Sequence, residues 1–318
     1  MAPFVAPPVF DFWAQKVNRT LSWERPLARV VGRRVTARGV VTLQLRANRH
    51  FRGFQAGQHV PVSVEVDGVR MTRTYSPVTP WRADGRLSIT VKAVAGGKVS
   101  NALLHDVAVG DVLELGPAFG DMVLPADAAS RRWLLVAGGS GITPLMCLLR
   151  ALLAENPEAD ITLMQWAREL LPTEQTGRPD DALFRAQMPD LGNRSVRACG
   201  PWGFVDAVRS LLAGHCADFA SESFTPPPAN VSAGEAVTVT LALSGRQLQV
   251  PSGVPLLESL EAAGLQPEHG CRMGVCNTCV CNKRDGSTEH VHSARRDDEA
   301  GPVRLCVSAP RSDITLEL

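Results

Sequence analysis

Four cysteines near the C-terminal end constrain this chain more than any other feature. Cys271, Cys276, Cys279 and Cys306 follow the spacing C-x4-C-x2-C, then a distant C. Four thiolates satisfy the two irons of a 2Fe-2S cluster, and a tight trio with one remote ligand is a spacing that does so. Gly270 and Gly274 let the loop turn sharply and aim backbone N–H groups at cluster sulfurs. Structural zinc fits less well, because only Cys276 and Cys279 form a C-x2-C pair and His290 and His292 supply no matching second pair. A Rieske centre needs histidine ligands from a C-x-H step that the sequence lacks, and a thioredoxin-like C-x-x-C needs a βαβ context. Cys281 reads as a packing residue beside the ligands.

A chain of 318 residues exceeds one ordinary domain. Its net charge of +1, with 45% hydrophobic and 20% charged residues, gives no sign of nucleic-acid binding. Four of the eight cysteines are claimed by the cluster and the others are scattered, so no disulfide framework is expected and a reducing cytoplasm is the natural compartment. No run approaches the ~18 apolar residues of a membrane span, and the first residues do not read as a signal peptide.

Residues 1–24 read as an irregular arm carrying Pro3, Pro7 and Pro8, then Phe10, Phe12, Trp13 and Trp23. Such aromatics could pack on the arm's own domain or dock on a membrane-bound partner. Residues 25–126 alternate β-branched runs with glycine-bearing turns, as in Val40 to Leu45 and His59 to Val64, the pattern of an antiparallel β-barrel. Residues 127–223 open with Trp133 to Ala137, a run suited to a buried parallel strand. Gly138-Gly139-Ser140-Gly141 and a helix over Leu145 to Ala154 follow, a unit that presents backbone N–H groups to a pyrophosphate. Further strands are expected over Ile161 to Trp166 and Ser195 to Ala198. Residues 224–232 form a stiff proline-rich linker, and residues 233–318 hold strands over Ala236 to Leu243 and Gln247 to Val250, a helix from Leu256 to Ala263, and the cysteine loop.

Five motifs in order then resemble the ferredoxin-NADP reductase superfamily with a fused C-terminal plant-type ferredoxin: Arg73-Thr74-Tyr75-Ser76, Gly97-Lys98-Val99-Ser100-Asn101, Gly139 to Pro144, Cys199-Gly200-Pro201 and the cysteine spacing. The aromatic arm and the surroundings of Cys279 and Cys306 resemble actinobacterial-type reductases of fatty-acyl desaturases and oxygenases. The resemblance implies a multi-domain fold: an antiparallel β-barrel flavin domain, an α/β parallel-sheet nucleotide domain and an α+β ferredoxin-like β-grasp domain. It implies that Tyr75 stacks on the flavin ring, Arg73 pairs with the flavin phosphate, and Thr74 and Ser76 complete the tetrad with Ser76 near N5. An aromatic face suits the ring and a guanidinium suits phosphate. Gly97, Lys98, Val99 and Ser100 would cradle the pyrophosphate, with Val91 and Lys92 as further flavin contacts. Gly139, Gly141, Thr143 and Pro144 would form the nicotinamide-nucleotide loop, with Cys199, Gly200 and Pro201 beside the nicotinamide and Cys199 near its C4. Ser76 and Cys199 are therefore the expected catalytic residues, and Cys147 and Cys216 read as structural.

One departure stands out. Members of the superfamily carry a further strand and helix between the second nucleotide-domain strand and the Cys-Gly-Pro strand, whereas Glu169 to Arg194 holds room for one short helix and loops. The nucleotide domain thus reads as shortened at an outer strand. Arg168 and Arg178 are candidates for a 2′-phosphate, so NADPH and NADH both stay open, as do FAD, which the resemblance favours, and FMN. The implied activity is electron passage from NAD(P)H through flavin and a 2Fe-2S cluster to a terminal oxygenase, hydroxylase or fatty-acyl desaturase, by a monomeric protein. Two other readings stay open: an electron relay that no longer accepts hydride efficiently, and a non-redox zinc-binding interaction protein.

Overall fold

The computed structural model describes residues 6–167, 179–225, 234–270, 272–274, 276–292 and 294–318. The N-terminal segment, expected to be irregular, contains a helix, α1 (Pro7–Val17). Its first positions are Pro7 and Pro8, and a ring with fixed φ and no N–H to satisfy suits the start of a helix. The underside of α1 is tied down: buried Asp11 accepts a hydrogen bond from the Trp23 N–H at 2.6 Å, and the Phe10 and Trp23 rings meet edge to face at 5.2 Å. Phe12, Trp13 and Val17 face outward and are exposed.

Next comes a six-stranded antiparallel sheet formed by β1 (Leu27–Ala37), β2 (Val40–Ala47), β3 (Val60–Val66), β4 (Val69–Tyr75), β5 (Arg86–Lys92) and β6 (Val112–Leu115), in the order β4-β3-β6-β1-β2-β5. Period-two alternation decides the inner face: Val41, Leu43 and Leu45 of β2 and Leu87, Ile89 and Val91 of β5 are all buried in one core. The sheet curls until the chain just past β4 meets β5, through a Pro77 to Ile89 bridge and a Val78 N–H to Ser88 carbonyl hydrogen bond of 2.8 Å. Helix α2 (Lys98–His105) turns Val99, Leu103 and Leu104 into the same core.

A four-stranded parallel sheet follows, built from β7 (Arg132–Gly138), β8 (Ile161–Trp166), β9 (Arg194–Gly200) and β10 (Asp218–Ser223) in the order β10-β9-β7-β8. Helices α3 (Ile142–Glu155), α4 (Asp181–Gln187) and α5 (Trp202–Leu212) connect them. Both faces of β7 are covered, Leu134 and Val136 on the side of Phe184, Val208 and Leu212, and Leu135 and Ala137 on the side of Leu145 and Leu148. That two-sided burial is why β7 reads as an unbroken apolar run. Among the described residues, only α4 and a short turn at Leu191–Asn193 lie between β8 and β9, and β8 is left at the sheet's edge. Strand β10 had no counterpart in the sequence reading.

The chain divides into two units, Met1–Phe224 with both of these sheets and Thr225–Leu318. In the second, β11 (Ala236–Leu241), β12 (Gln247–Pro251), α6 (Leu256–Ala262), β13 (Val280–Asp285), β14 (Thr288–His290), β15 (Arg296–Asp297), β16 (Gly301–Arg304), β17 (Ser308–Pro310) and β18 (Ile314–Leu316) follow in turn. A mixed sheet of order β12-β11-β18-β13-β16, with β11 and β18 parallel, packs its Val239, Leu241 and Leu316 against Leu256, Leu257 and Leu260 of α6.

Because Asp11 is the fastening of α1, Asp11→Ala should cost about 1–2 kcal/mol by stranding its donor. Limited trypsin digestion should then cut sooner after Lys16 and Arg19. Unchanged digestion would show that the aromatic contact alone holds the helix.

Candidate functional sites

The end of β4 delivers the Arg73 to Ser76 segment to the rim of the barrel. Tyr75 is half-buried against the barrel core. Burial pushes its phenol up to about 12, with the Arg73 cation pulling the other way, so the ring is neutral and packs as an aromatic surface. Arg73 bonds the Thr72 carbonyl at 2.8 Å. The Thr74 hydroxyl is buried with no hydrogen-bond partner among the described residues, a polar atom suited to a ligand.

Gly97 caps α2 without a side-chain hydrogen bond, which leaves the helix's first N–H groups open beside exposed Lys98. Three of the expected contacts turn their side chains inward. Val99 and Val91 are spent on the barrel core, and Ser100 Oγ pins the turn by accepting from the Val94 N–H at 3.1 Å. Only the backbone of Val99 and Ser100 remains for a phosphate. Lys92 is exposed at the end of β5.

In the parallel sheet the chain leaves β7 toward β8 on one side and returns to β9 on the other, so the carboxyl ends of β7 and β9 flank the switch point where such sheets bind ligands. Gly139 and Gly141 stand at the end of β7, and Cys199 and Gly200 at the end of β9, with Pro201 as the N-cap of α5. A Cβ on Gly141 would lie 2.1 Å from the Cys199 carbonyl oxygen, so only glycine lets the two backbones meet. Thr143 Oγ1 donates to the Ser140 carbonyl at 3.0 Å, and Pro144 is buried in the first turn of α3. Cys199 itself is buried, and burial, followed by the nearby Glu222 charge, holds its thiol far above the ordinary range. It is a neutral thiol and not a nucleophile. Arg168 and Arg178 lie outside the described residues.

Two residues that sequence reasoning missed join these places. His59, buried at the start of β3, shares a hydrogen bond of 2.6 Å between its Nδ1 and Ser76 Oγ, and its Nε2 lies 2.6 Å from Glu222 Oε1. Glu222 sits on β10 directly beside Cys199 on β9. Ser76 and Cys199, expected separately, thus stand at the two ends of a row Ser76, His59, Glu222, Cys199. The sequence signal for Glu222 was weak, because a carboxylate in an unassigned polar stretch looks like surface.

In the second unit, Cys279 and Cys306 are buried with their sulfurs 3.3 Å apart, and this contact holds the Cys279 thiol down to about 7. Cys276, with Cys279 on the same loop, lies close enough to repel a Cys279 thiolate. A Cβ on Gly270 would meet Cys276 Sγ at 2.9 Å, and Arg272, Asn277 and Gly274 adopt positive φ, so the loop is wound around its cysteines. No disulfide ties the described cysteines, and their sulfurs suit iron. Cys271 lies outside the described residues. Cys281 is buried in the neighbouring core and its thiol is pushed up by burial, as a packing residue requires.

Comparison with known proteins finds two domain families in the chain. Residues 32–123 match the oxidoreductase FAD-binding domain and residues 239–311 the 2Fe-2S iron-sulfur cluster binding domain. A Mycobacterium tuberculosis NADPH oxidoreductase is 28% identical over an alignment covering 100% of this chain and 90% of its own. The NADH oxidoreductase HCR of Escherichia coli is 30% identical over 83% of this chain and 88% of its own. The solved phthalate dioxygenase reductase, described as a modular structure for electron transfer from pyridine nucleotides to 2Fe-2S, superposes with a TM-score of 0.60 at 26% identity, covering 92% of this chain and 97% of that one. The chain belongs to the ferredoxin-NADP reductase superfamily, among the phthalate dioxygenase reductase-like oxidoreductases that join an FAD domain and a pyridine-nucleotide domain to a C-terminal 2Fe-2S domain.

Tyr75 is the chain's only tyrosine, so ultraviolet titration reports it alone. A raised pKa means the folded state keeps a proton that the unfolded state gives up from about pH 10, so folding stability falls as pH rises through that range. The tyrosinate band should appear near pH 12 in the folded protein. A midpoint near the ordinary value of about 10 would show the ring to be solvated.

Proposed function

We propose that this protein takes hydride from a reduced nicotinamide nucleotide and passes the two electrons singly through its cluster to a partner oxygenase, hydroxylase or fatty-acyl desaturase. The observation that carries this reading is the union, in one chain, of a barrel and switch-point pair suited to FAD and nicotinamide with a cysteine loop suited to a 2Fe-2S centre. Bound FAD supplies the conversion between a two-electron donor and a one-electron acceptor.

The chain's own residues bind and orient. Arg73 would neutralise a flavin phosphate, Thr74 would offer its hydroxyl, Tyr75 would give the ring an aromatic face, and Ser76 would complete the tetrad. The open N-terminus of α2, with Lys98, receives the pyrophosphate. Gly139, Gly141, Thr143 and Pro144 hold the nicotinamide nucleotide at the end of β7. Buried Cys199 would serve beside the nicotinamide as a neutral, water-excluding group. Cys271, Cys276, Cys279 and Cys306 ligate the irons.

Oxygenase partners are supported by the phthalate dioxygenase reductase relative. A membrane-bound desaturase is supported by the exposed Phe12, Trp13 and Val17 of α1, since no helix among the described residues is long and apolar enough to cross a membrane itself. We read the protein as a monomer acting in the cytoplasm.

Anaerobic titration of the purified protein with NADPH and then NADH should bleach flavin and iron-sulfur bands together and reveal the preferred donor. Bleaching by dithionite alone would instead establish the electron-relay reading. Cys306→Ser should abolish the iron-sulfur bands and keep the flavin band, whereas Arg73→Ala should lower flavin content at least tenfold in affinity, about 1.4 kcal/mol. A Cys306→Ser protein with intact iron-sulfur absorption would remove Cys306 from the ligand set.

A further inference from the structure

Helix α1 carries its amphipathic pattern inside out. Val9, Phe12, Trp13, Lys16 and Val17 recur at i, i+3, i+4, i+7 and i+8, the spacing of one helix face and the one that ordinarily meets a core. Here that face is turned to solvent, with Trp13 66% and Val17 86% exposed. The opposite face holds the helix's one acid, Asp11, which is buried and bonded to the Trp23 N–H. Leu21 and Trp23, just beyond the helix, are exposed as well. A helix pinned by its polar side leaves its apolar side for another surface. We propose that α1 is an interfacial membrane anchor: it lies in the plane of a bilayer containing anionic phospholipid, its stripe among the acyl-chain ends and its cations at the level of the phosphates.

Charge selects such a surface as the occupant. Residues 1–126 carry 16 lysines and arginines against 9 aspartates and glutamates, a net of +7 in a chain whose total is +1. The excess positive charge is thus gathered in the segment that bears α1. A groove of about 450 Å³ runs from Phe12 onto the outer side of β1, β3, β4 and β6, with Lys16, Arg19, Arg25 and Arg70 around it. Glu65 and Glu114 offset part of that charge, Arg25 and Arg70 sharing Glu114, and exposed Arg19 lies 3.5 Å from Asp111. Cations remain in excess. A dissolved polyanion would use this charge and leave the apolar stripe wet, whereas an anionic bilayer takes both.

The place of Lys16 separates lipid from a protein partner. Its Nζ lies 5.2 Å from the Phe12 ring centroid, within the stripe and not at its rim. Lysine is depleted from the dry centre of protein interfaces, where its charge would be stripped of water. At a bilayer the same side chain lays its stem along the apolar layer while the amine reaches the phosphates, and tryptophan prefers that same level. With no helix among the described residues long and apolar enough to cross a membrane, α1 lies on the surface. Three turns bury few side chains, and a modest cationic excess is screened by salt, so each signal alone binds weakly. Together they make a reversible anchor.

Flotation of the full-length holoprotein with vesicles of phosphatidylcholine and phosphatidylglycerol in equal parts, and with vesicles of phosphatidylcholine alone, tests the anchor. The protein should float with the mixed vesicles, far more weakly with the neutral ones, and come off as salt rises. Lys16→Glu should weaken binding to the mixed vesicles ~10-fold and leave the neutral ones unchanged, since each charge near an anionic surface is worth about fivefold. Phe12→Ser combined with Trp13→Ser should weaken binding to the mixed vesicles ~10²-fold. Trp13 is one of six tryptophans, so lipids brominated in the acyl chain should quench part of the fluorescence, and Trp13→Phe should lose that part. These side chains are exposed, so every variant should keep the flavin and iron-sulfur absorption of the wild type. No flotation with the mixed vesicles, or flotation that neither the Lys16 variant nor the double variant weakens, overturns the anchor. A dimer in vesicle-free solution that the double variant dissociates overturns it too, by giving the stripe to a second copy. Such vesicles hold neither oxygenase nor desaturase, so a failed anchor leaves the proposed electron path standing, and a failure of nicotinamide nucleotides to bleach the protein leaves the anchor standing.

Discussion

The backbones at the ends of β7 and β9 approach more closely than any side chain would permit. A Cβ at Gly141 would collide with the Cys199 carbonyl, and a Cβ at Gly200 would stand 3.0 Å from the Gly138 α-carbon. This contact sets the spacing of the two central strands at their carboxyl ends, and so fixes where the crevice of the sheet opens. It also sets the position of Cys199, and through the adjacent strand the position of Glu222. Glu222 reaches His59 and His59 reaches Ser76, so the glycine contact orients a row that runs into the barrel. Barrel and sheet share one compact unit, and the row is a polar seam within it.

The parts of this arrangement legible in the sequence were those where one chemistry dominates a short stretch. Two-sided burial made β7 an unbroken apolar run, alternation marked β2 and β5, and ligand spacing marked the cysteine loop. What escaped depended on partners distant in sequence. Asp218 to Ser223 has neither apolar alternation nor a buried run, because its side chains are only half-buried and Asp218 bonds Arg197 at 2.7 Å; pairing with β9 makes it a strand. Helix α1 was hidden by its own prolines, which read as breakers unless they fall in the first turn. His59 lay inside a strand pattern, and nothing local distinguishes a buried histidine bridging two segments from one that merely packs. Val91, Val99 and Ser100 illustrate the converse: the motif names the residues, but the pleat and the helix face decide that those side chains point inward.

The expected departure of the nucleotide sheet from the superfamily pattern falls between β8 and β9. Sheet order places β8 at one edge and β10 at the other, with β7 and β9 between them. Among the described residues only α4 and a short turn stand between β8 and β9, on the flank opposite Glu222, His59 and Ser76. The residues proposed here to serve the flavin and the nicotinamide belong to β7, β9 and the barrel, away from that flank. The crevice glycines are required by the contact of the central strands themselves, so the fold keeps the crevice open whether the chain works as a reductase or as a relay, and reduction by a nicotinamide nucleotide is what separates the two.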